Sequence, residues 1–252
     1  MKMKKGLLTM LALLSMGSVF AQDYSVPDAR VAASRMSALH VTLGTEAIYR
    51  DLQFDLTLPE GIALADENGG VVKDAASKHT VAFNALGETD GKQTVRFVVY
   101  NDGQDDNVAE KFGSGILVDI PIVAASSYEG TKEASLSGVF TSNDVAESLP
   151  ITVSPFNIKA VLLGDVNDNG LVEIADAVAV VNNVTGKENE VFVKEAADVN
   201  GNAVSYDDDA KIGEIADAVA VVNIVVGKTD SNSAKATILD ASDSFEDTLD
   251  PQ

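Results

Sequence analysis

The 252-residue sequence contains no cysteine and no tryptophan, and only two histidines. Lack of cysteine excludes disulfides, thiolate metal sites and lipid attachment at a cysteine behind a leader. Lack of tryptophan removes the commonest stacking platform for sugar rings. Basic residues are scarce as well: 18 Lys and Arg stand against 39 Asp and Glu, a formal charge of −21. Such a chain repels nucleic acid and anionic membrane surfaces. Long apolar runs are nearly missing, and the one from Leu7 to Met16 is too short for a good membrane span.

That run reads as part of an export signal. Lys2, Lys4 and Lys5 precede it, small residues lead to Val19-Phe20-Ala21, and cleavage is expected after Ala21. Removing the three leader lysines takes the formal charge from −21 to near −24. The mature chain is expected to be soluble and exported, whether extracellular, periplasmic or at the cell surface. About 230 residues then remain, enough for one large or two modest domains.

From 24 to 158 the apolar period is two. Leu39, Val41 and Leu43 alternate with polar or small neighbours, and Leu52, Phe54, Leu56 and Leu58 alternate with Gln53, Asp55 and Thr57. Further strands are expected at Val81–Leu86, Thr94–Tyr100, Gly115–Val123, Ala134–Phe140 and Ile151–Phe156, separated by turn-rich segments. Short strands so punctuated read as an antiparallel sandwich. Phe54, Phe83 and Phe97 take core positions in it.

Past Leu163 the period changes to that of a helix. Glu173 to Lys187 and Glu214 to Lys228 match at 13 of 15 positions, 41 residues apart. Both runs are rich in β-branched residues that would also suit strands. The acidic loop ahead of each, and Gly186 and Gly227 behind, favour helices. From 229 to 252 the chain is Ser-, Asp- and Glu-rich and is expected to be a mobile acidic tail.

Ahead of the first repeat lies Asp165-Val-Asn167-Asp-Asn169-Gly170-Leu171-Val-Glu173-Ile-Ala-Asp176. Oxygen-bearing side chains at positions 1, 3, 5, 9 and 12, with glycine at 6, are what an EF-hand-type calcium loop needs. Asp165, Asn167, Asn169 and Asp176 are the expected side-chain ligands, with the Leu171 carbonyl at position 7 and Glu173 acting through a water. The second loop departs from this pattern. It begins Asp198-Val-Asn200-Gly-Asn202, but Ala203 replaces the turn glycine, and Asp217 follows Asp198 by 19 residues where 11 are expected. Either the eight extra residues loop out while Asp198, Asn200, Asn202, the Ile212 carbonyl and Asp217 still converge, or this loop has lost its ion. A looped-out insertion costs little closure entropy. One calcium ion is thus expected, and a second if the inserted loop closes.

The duplicated Asp-x-Asn-x-Asn loop with its helix resembles a dockerin domain, over 162 to 228. The segment Leu52-Gln-Phe-Asp-Leu-Thr-Leu-Pro-Glu-Gly-Ile62, with the strand pattern around it, resembles the cohesin-like β-sandwich shared by certain carbohydrate-binding modules. The fold class implied is a multidomain chain, an all-β sandwich followed by a small helical calcium-loop pair. The dockerin resemblance implies that loop positions 10 and 11, Ile174-Ala175 and Ile215-Ala216, contact a cohesin-like protein partner, in two equivalent orientations because the repeats match. It also leaves open that the repeats pack only on each other or dock onto their own sandwich. A glycan is the alternative partner. No nucleophile motif flanks His40 or His79, and with so many acids chance carboxylate pairs mean nothing, so a non-catalytic role is expected. The resemblance points to assembly or adhesion around extracellular polysaccharide breakdown.

Overall fold

Leu52, Phe54, Leu56 and Leu58 are all buried, while Gln53, Asp55 and Thr57 between them are half-buried. A period of two puts the four apolar side chains on one face of a strand, and a second sheet must cover that face. The computed structural model describes residues 24–44, 49–65, 67–101, 111–142 and 148–228. The expected export signal, with its cleavage after Ala21, and the acidic tail from 229 onward lie outside the described residues.

Among the described residues the strands are β1 (Tyr24–Ser25), β2 (Ala29–Ala32), β3 (Met36–Leu43), β4 (Asp51–Thr57), β5 (Ile62–Leu64) and β6 (Val71–Val72). They continue with β7 (Thr80–Thr89), β8 (Lys92–Tyr100), β9 (Gly115–Ala124), β10 (Thr131–Ser142), β11 (Ser148–Ile151) and β12 (Phe156–Val161). Two helices follow, α1 (Ile174–Val184) and α2 (Ile215–Val225). One sheet runs β1-β3-β9-β5, with β6 also on β9; the other runs β2-β12-β10-β4-β8-β7, with β11 also on β10. The described pairings are antiparallel except that of β12 with β2, which is parallel from Ile158↔Ala29 to Val161↔Ala32.

The core lies between the sheets. Phe54 stacks on Phe97 with centroids 5.2 Å apart, and Leu39, Leu117, Ile120 and Ile122 close over them from the facing sheet. The Tyr128 hydroxyl donates to the Ile158 carbonyl at 2.7 Å, tying the loop after β9 to β12.

Two sequence expectations need correction. The stretch Ile151–Phe156 is not one strand but the crossing between two. β11 pairs with the far end of β10 (Val139↔Ile151) and β12 with its near end (Ala134↔Phe156). Pro155, having no amide hydrogen, cannot continue a ladder across that gap. Phe83, expected in the core, is 36% exposed. It sits on β7, at the edge of its sheet, where a neighbour covers one side only, and its ring rests 6.0 Å from that of Phe97.

A second apolar cluster joins Val166, Ala177, Val180, Val193, Val199, Ala218 and Val221 to Ala32 of β2 and Val161 of β12. The two β-branched runs are thus helical, packed on one another and on the sandwich's last strand. Eleven-residue helices this rich in valine are weak on their own. Their stability must come from the small buried stripe and from the loops at their N-termini. No helix among the described residues is long and apolar enough to cross a membrane.

Candidate functional site

The first loop wraps its backbone around its own side-chain oxygens. Asp165 Oδ1 accepts the Asn169 amide at 3.0 Å and Oδ2 the Gly170 amide at 2.8 Å. Asn167 Oδ1 also accepts the Asn169 amide, at 3.0 Å, and Asn169 Oδ1 accepts that of Leu171 at 2.9 Å. Asp176, third residue of α1, reaches back to close the loop: Oδ1 takes the Asn167 amide at 3.1 Å and Oδ2 the Glu173 amide at 2.9 Å. The second of these bonds also satisfies a donor at the helix N-terminus. The tight path needs left-handed backbone at Asp168 (φ 57°) and Gly170 (φ 87°).

The second loop repeats the frame in spite of its insertion. Asp198 Oδ1 accepts the Asn202 amide at 3.2 Å, and Asn200 Oδ1 accepts it at 2.9 Å. Asp217 Oδ1 accepts the Asn200 amide at 3.0 Å, and Oδ2 those of Gly213 and Glu214, both at 3.0 Å. The chain leaves the loop after Asn202 and rejoins it at Gly213. Ile212 is half-buried against the helical cluster, its amide bonded to the Asp208 carbonyl at 2.9 Å. The left-handed turn stands at Gly201 (φ 71°), the counterpart of Asp168, so Ala203 need not supply one.

Asp165, Asp176, Asp198 and Asp217 are all buried, and burial has its electrostatic effect. It pushes the Asp217 carboxyl up to about 6, helped by the neighbouring Asp198 charge. Asp176 is raised for the same reason, with Asp165 adding to it. Asp198 is raised by burial against the pull of Arg35. Carboxylates held this way gain from a cation. Among the described residues no group of three or more His, Cys, Asp or Glu side chains gathers as a metal cluster. Each loop instead pairs two aspartates with two asparagine oxygens, and a glutamate borders each set: Asn169 Nδ2 donates to Glu173 at 2.9 Å and Asn202 Nδ2 to Glu214 at 2.7 Å. An all-oxygen set that includes neutral amides fits calcium and does not suit softer metals.

Sequence reasoning missed the side chains that fasten both loops to the sandwich. Asp168, at the first loop's tip, pairs with Arg30 of β2 at 3.3 Å and Lys159 of β12 at 3.2 Å. Arg35, buried just before β3, donates from Nε to the Asp198 carbonyl at 2.7 Å and from Nη2 to the Val199 carbonyl at 3.3 Å. Tyr206, inside the insertion, donates its hydroxyl to Asp119 of β9 at 3.0 Å. Asp119 also meets Lys73 at 2.7 Å and His40 Nδ1 at 2.6 Å. Burial opposes its ionisation, yet these hydrogen bonds outweigh it and hold the carboxyl below its usual range. A cleft of about 820 Å³ opens between the insertion and the sheet, lined by Met36, His40, Lys73 and Tyr206 among others. Apart from Lys159, nine residues from Asp168, these partners are too distant in sequence to leave a local signal.

The outward faces of the helices carry the residues expected to contact a partner. Ile174, Ala175, Ile215 and Ala216 are all exposed. Ile174 leads a stripe with Val178 and Val181 on α1, and Ile215 one with Val219 and Val222 on α2, all exposed. The spacing of four and then three residues puts each stripe on one helix face. The helices thus bury alanine and valine inward and show a second, duplicated apolar face to solvent.

No family model matches the chain, and no curated protein matches it. Among solved structures it is similar to a non-cellulosomal cohesin from the archaeon Archaeoglobus fulgidus, at 10% identity and TM-score 0.42, over 55% of this chain and 89% of that one. It is similar to a type I cohesin–dockerin complex from Clostridium thermocellum at 10% identity and TM-score 0.45, over 55% of this chain and 98% of that one. A type II cohesin domain from the cellulosome of Acetivibrio cellulolyticus matches at 10% identity and TM-score 0.41, over 54% and 94% of the two chains.

Proposed function

We propose that this chain is an exported, non-catalytic assembly protein whose helical part is a dockerin-like module, folded around calcium, that binds a cohesin-like protein partner near sites of polysaccharide breakdown. The observation that carries this reading is the duplicated apolar face, Ile174-Val178-Val181 on α1 and Ile215-Val219-Val222 on α2, exposed on both helices. Isolated exposed apolar residues are ordinary, but the same three positions left open twice suit a partner. Calcium would be held by Asp165, Asn167, Asn169 and Asp176, with the Leu171 carbonyl, and would supply the folding energy that so small a core lacks. The second loop offers the matching set Asp198, Asn200, Asn202 and Asp217, with the Ile212 carbonyl.

A second reading is favoured by the contacts of Arg35 with Asp198 and of Tyr206 with Asp119. In it the helical module is docked onto its own sandwich and serves to brace a glycan-binding surface protein. Those contacts engage the loops and leave the helix faces open, so docking in cis does not compete with a partner there. The test is calcium titration of the metal-stripped chain with helix content followed by circular dichroism, then binding to cohesin-like modules with and without calcium. Calcium-dependent complexes are expected. Retention on polysaccharide with no protein complex would favour the second reading, and no heat and no helix gain would remove the calcium assignment.

A further inference from the structure

Arg35 stands where the chain crosses from β2 in one sheet to β3 in the other, directly after the left-handed Ser34 (φ 60°). The corner aims its side chain away from the sandwich core and into the second loop. There Arg35 is only 7% exposed. Nη1 donates to the Ser34 carbonyl at 3.1 Å, which fixes the fork, while Nε and Nη2 take the Asp198 and Val199 carbonyls. Nε also lies 3.4 Å from Asp198 Oδ2, a carboxylate oxygen of the loop's first ligand position. The backbone is shaped to this contact: a Cβ on Gly201 would sit 2.9 Å from Nη2, and the first loop carries Asp168 at the same position.

Among the described residues, the ion pairs that reach the first loop end on Asp168 at its tip, from the more exposed Arg30 and Lys159, and not on a ligand carboxylate. The two loops therefore share a hydrogen-bond frame but differ in charge. The first has buried aspartates with no buried cation of its own; the second has one, from the sandwich. We infer that Arg35 is the resident cation of the second loop. It holds that loop in its closed shape without metal and depresses its affinity for calcium, so that the chain takes one ion tightly, in the first loop. A guanidinium stays charged at any physiological pH, and a fixed positive charge beside a ligand carboxylate opposes a second cation there. This inference rests on the reading of both loops as calcium sites.

The experiment is calorimetric titration of calcium into the metal-stripped full chain, as wild type, Arg35→Met and Asp165→Ala. Wild type is expected to bind one ion tightly and Asp165→Ala to lose it. Arg35→Met is expected to gain a second ion, its affinity raised at least about tenfold. An ion count and affinity unchanged in Arg35→Met overturn the inference and leave the calcium reading standing. No heat with any of the three chains removes the calcium reading and the inference together. If Arg35→Met does not fold, hydrogen exchange on wild type with chelator decides. The Asn200, Asn202 and Gly213 amides are expected to stay protected while those of Asn167, Asn169 and Gly170 exchange at least about tenfold faster. Both loops opening alike would overturn the inference.

Discussion

Tyr206 donates its hydroxyl to Asp119 at 3.0 Å across 87 residues of sequence, and this bond ties the second loop's insertion to the sandwich. Asp119 is buried and already holds Lys73 and His40, so the phenol completes a set of three donors around one carboxylate. The phenol's own ionisation is pushed up to about 12, by burial first and by the Asp119 charge second, so it remains a donor at neutral pH. The Lys73 ammonium lies 5.8 Å from the Tyr206 ring centroid and adds a weak cation–π contact.

Tyr206→Phe keeps the ring and removes the donor. It is expected to cost about 1 kcal/mol of stability, and limited proteolysis should cut between Ala203 and Lys211 sooner than in wild type. Unchanged melting and unchanged cleavage would mean the insertion is held by something other than this bond.

Asp119 gives a pH dependence whose sign can be worked out. Its folded pKa lies below the ordinary 3.8. Its contribution is therefore fully present above 3.8 and is lost as pH falls through the lower folded value. Asp119→Asn should cost about 2 kcal/mol at pH 7 as charge-assisted bonds become neutral ones. The gap in melting temperature between wild type and Asp119→Asn should then narrow as the pH is taken below 3.8. A gap that stays constant from pH 7 to pH 3 would contradict the assignment.

The first loop predicts a coupling between metal and helix. Asp165 accepts two backbone amides and heads the proposed calcium-ligand set, so Asp165→Ala removes both the frame and a charge. Calcium affinity at this loop should fall by at least about tenfold, and α1 should lose helix by circular dichroism even in excess calcium. Retained affinity with retained helix would show that the ion, if bound, sits elsewhere.

Much of the fold was readable beforehand, for local reasons. The strict alternation of Leu52 to Leu58 could hardly be anything but a half-buried strand, and buried it is. The valine runs after Glu173 and Glu214 looked like strands by propensity, yet the helical spacing of what they bury, Ala177 with Val180 and Ala218 with Val221, prevailed. Phe83, expected in the core, is 36% exposed: alternation does not tell an edge strand from a central one. Ile151–Phe156 failed because two short strands in one line look like a single strand until their pairing is known. Arg35, Tyr206 and Asp119 were out of reach for a different reason. Each has a partner more than 80 residues away, brought near only by the assembled fold.

The matched helix faces predict a redundancy. If either helix can present its stripe to a partner, Ile174→Glu alone should leave affinity within about twofold, since one orientation of two survives. Ile215→Glu alone should do the same. The double variant should abolish binding, because a buried unpaired carboxylate then meets the partner in both orientations. All three chains should keep wild-type melting, since both isoleucines are 49% exposed. The measurement is surface plasmon resonance against a cohesin-like module in calcium. A single variant that abolishes binding would show that one helix carries the contact and that the repeat of the other is structural.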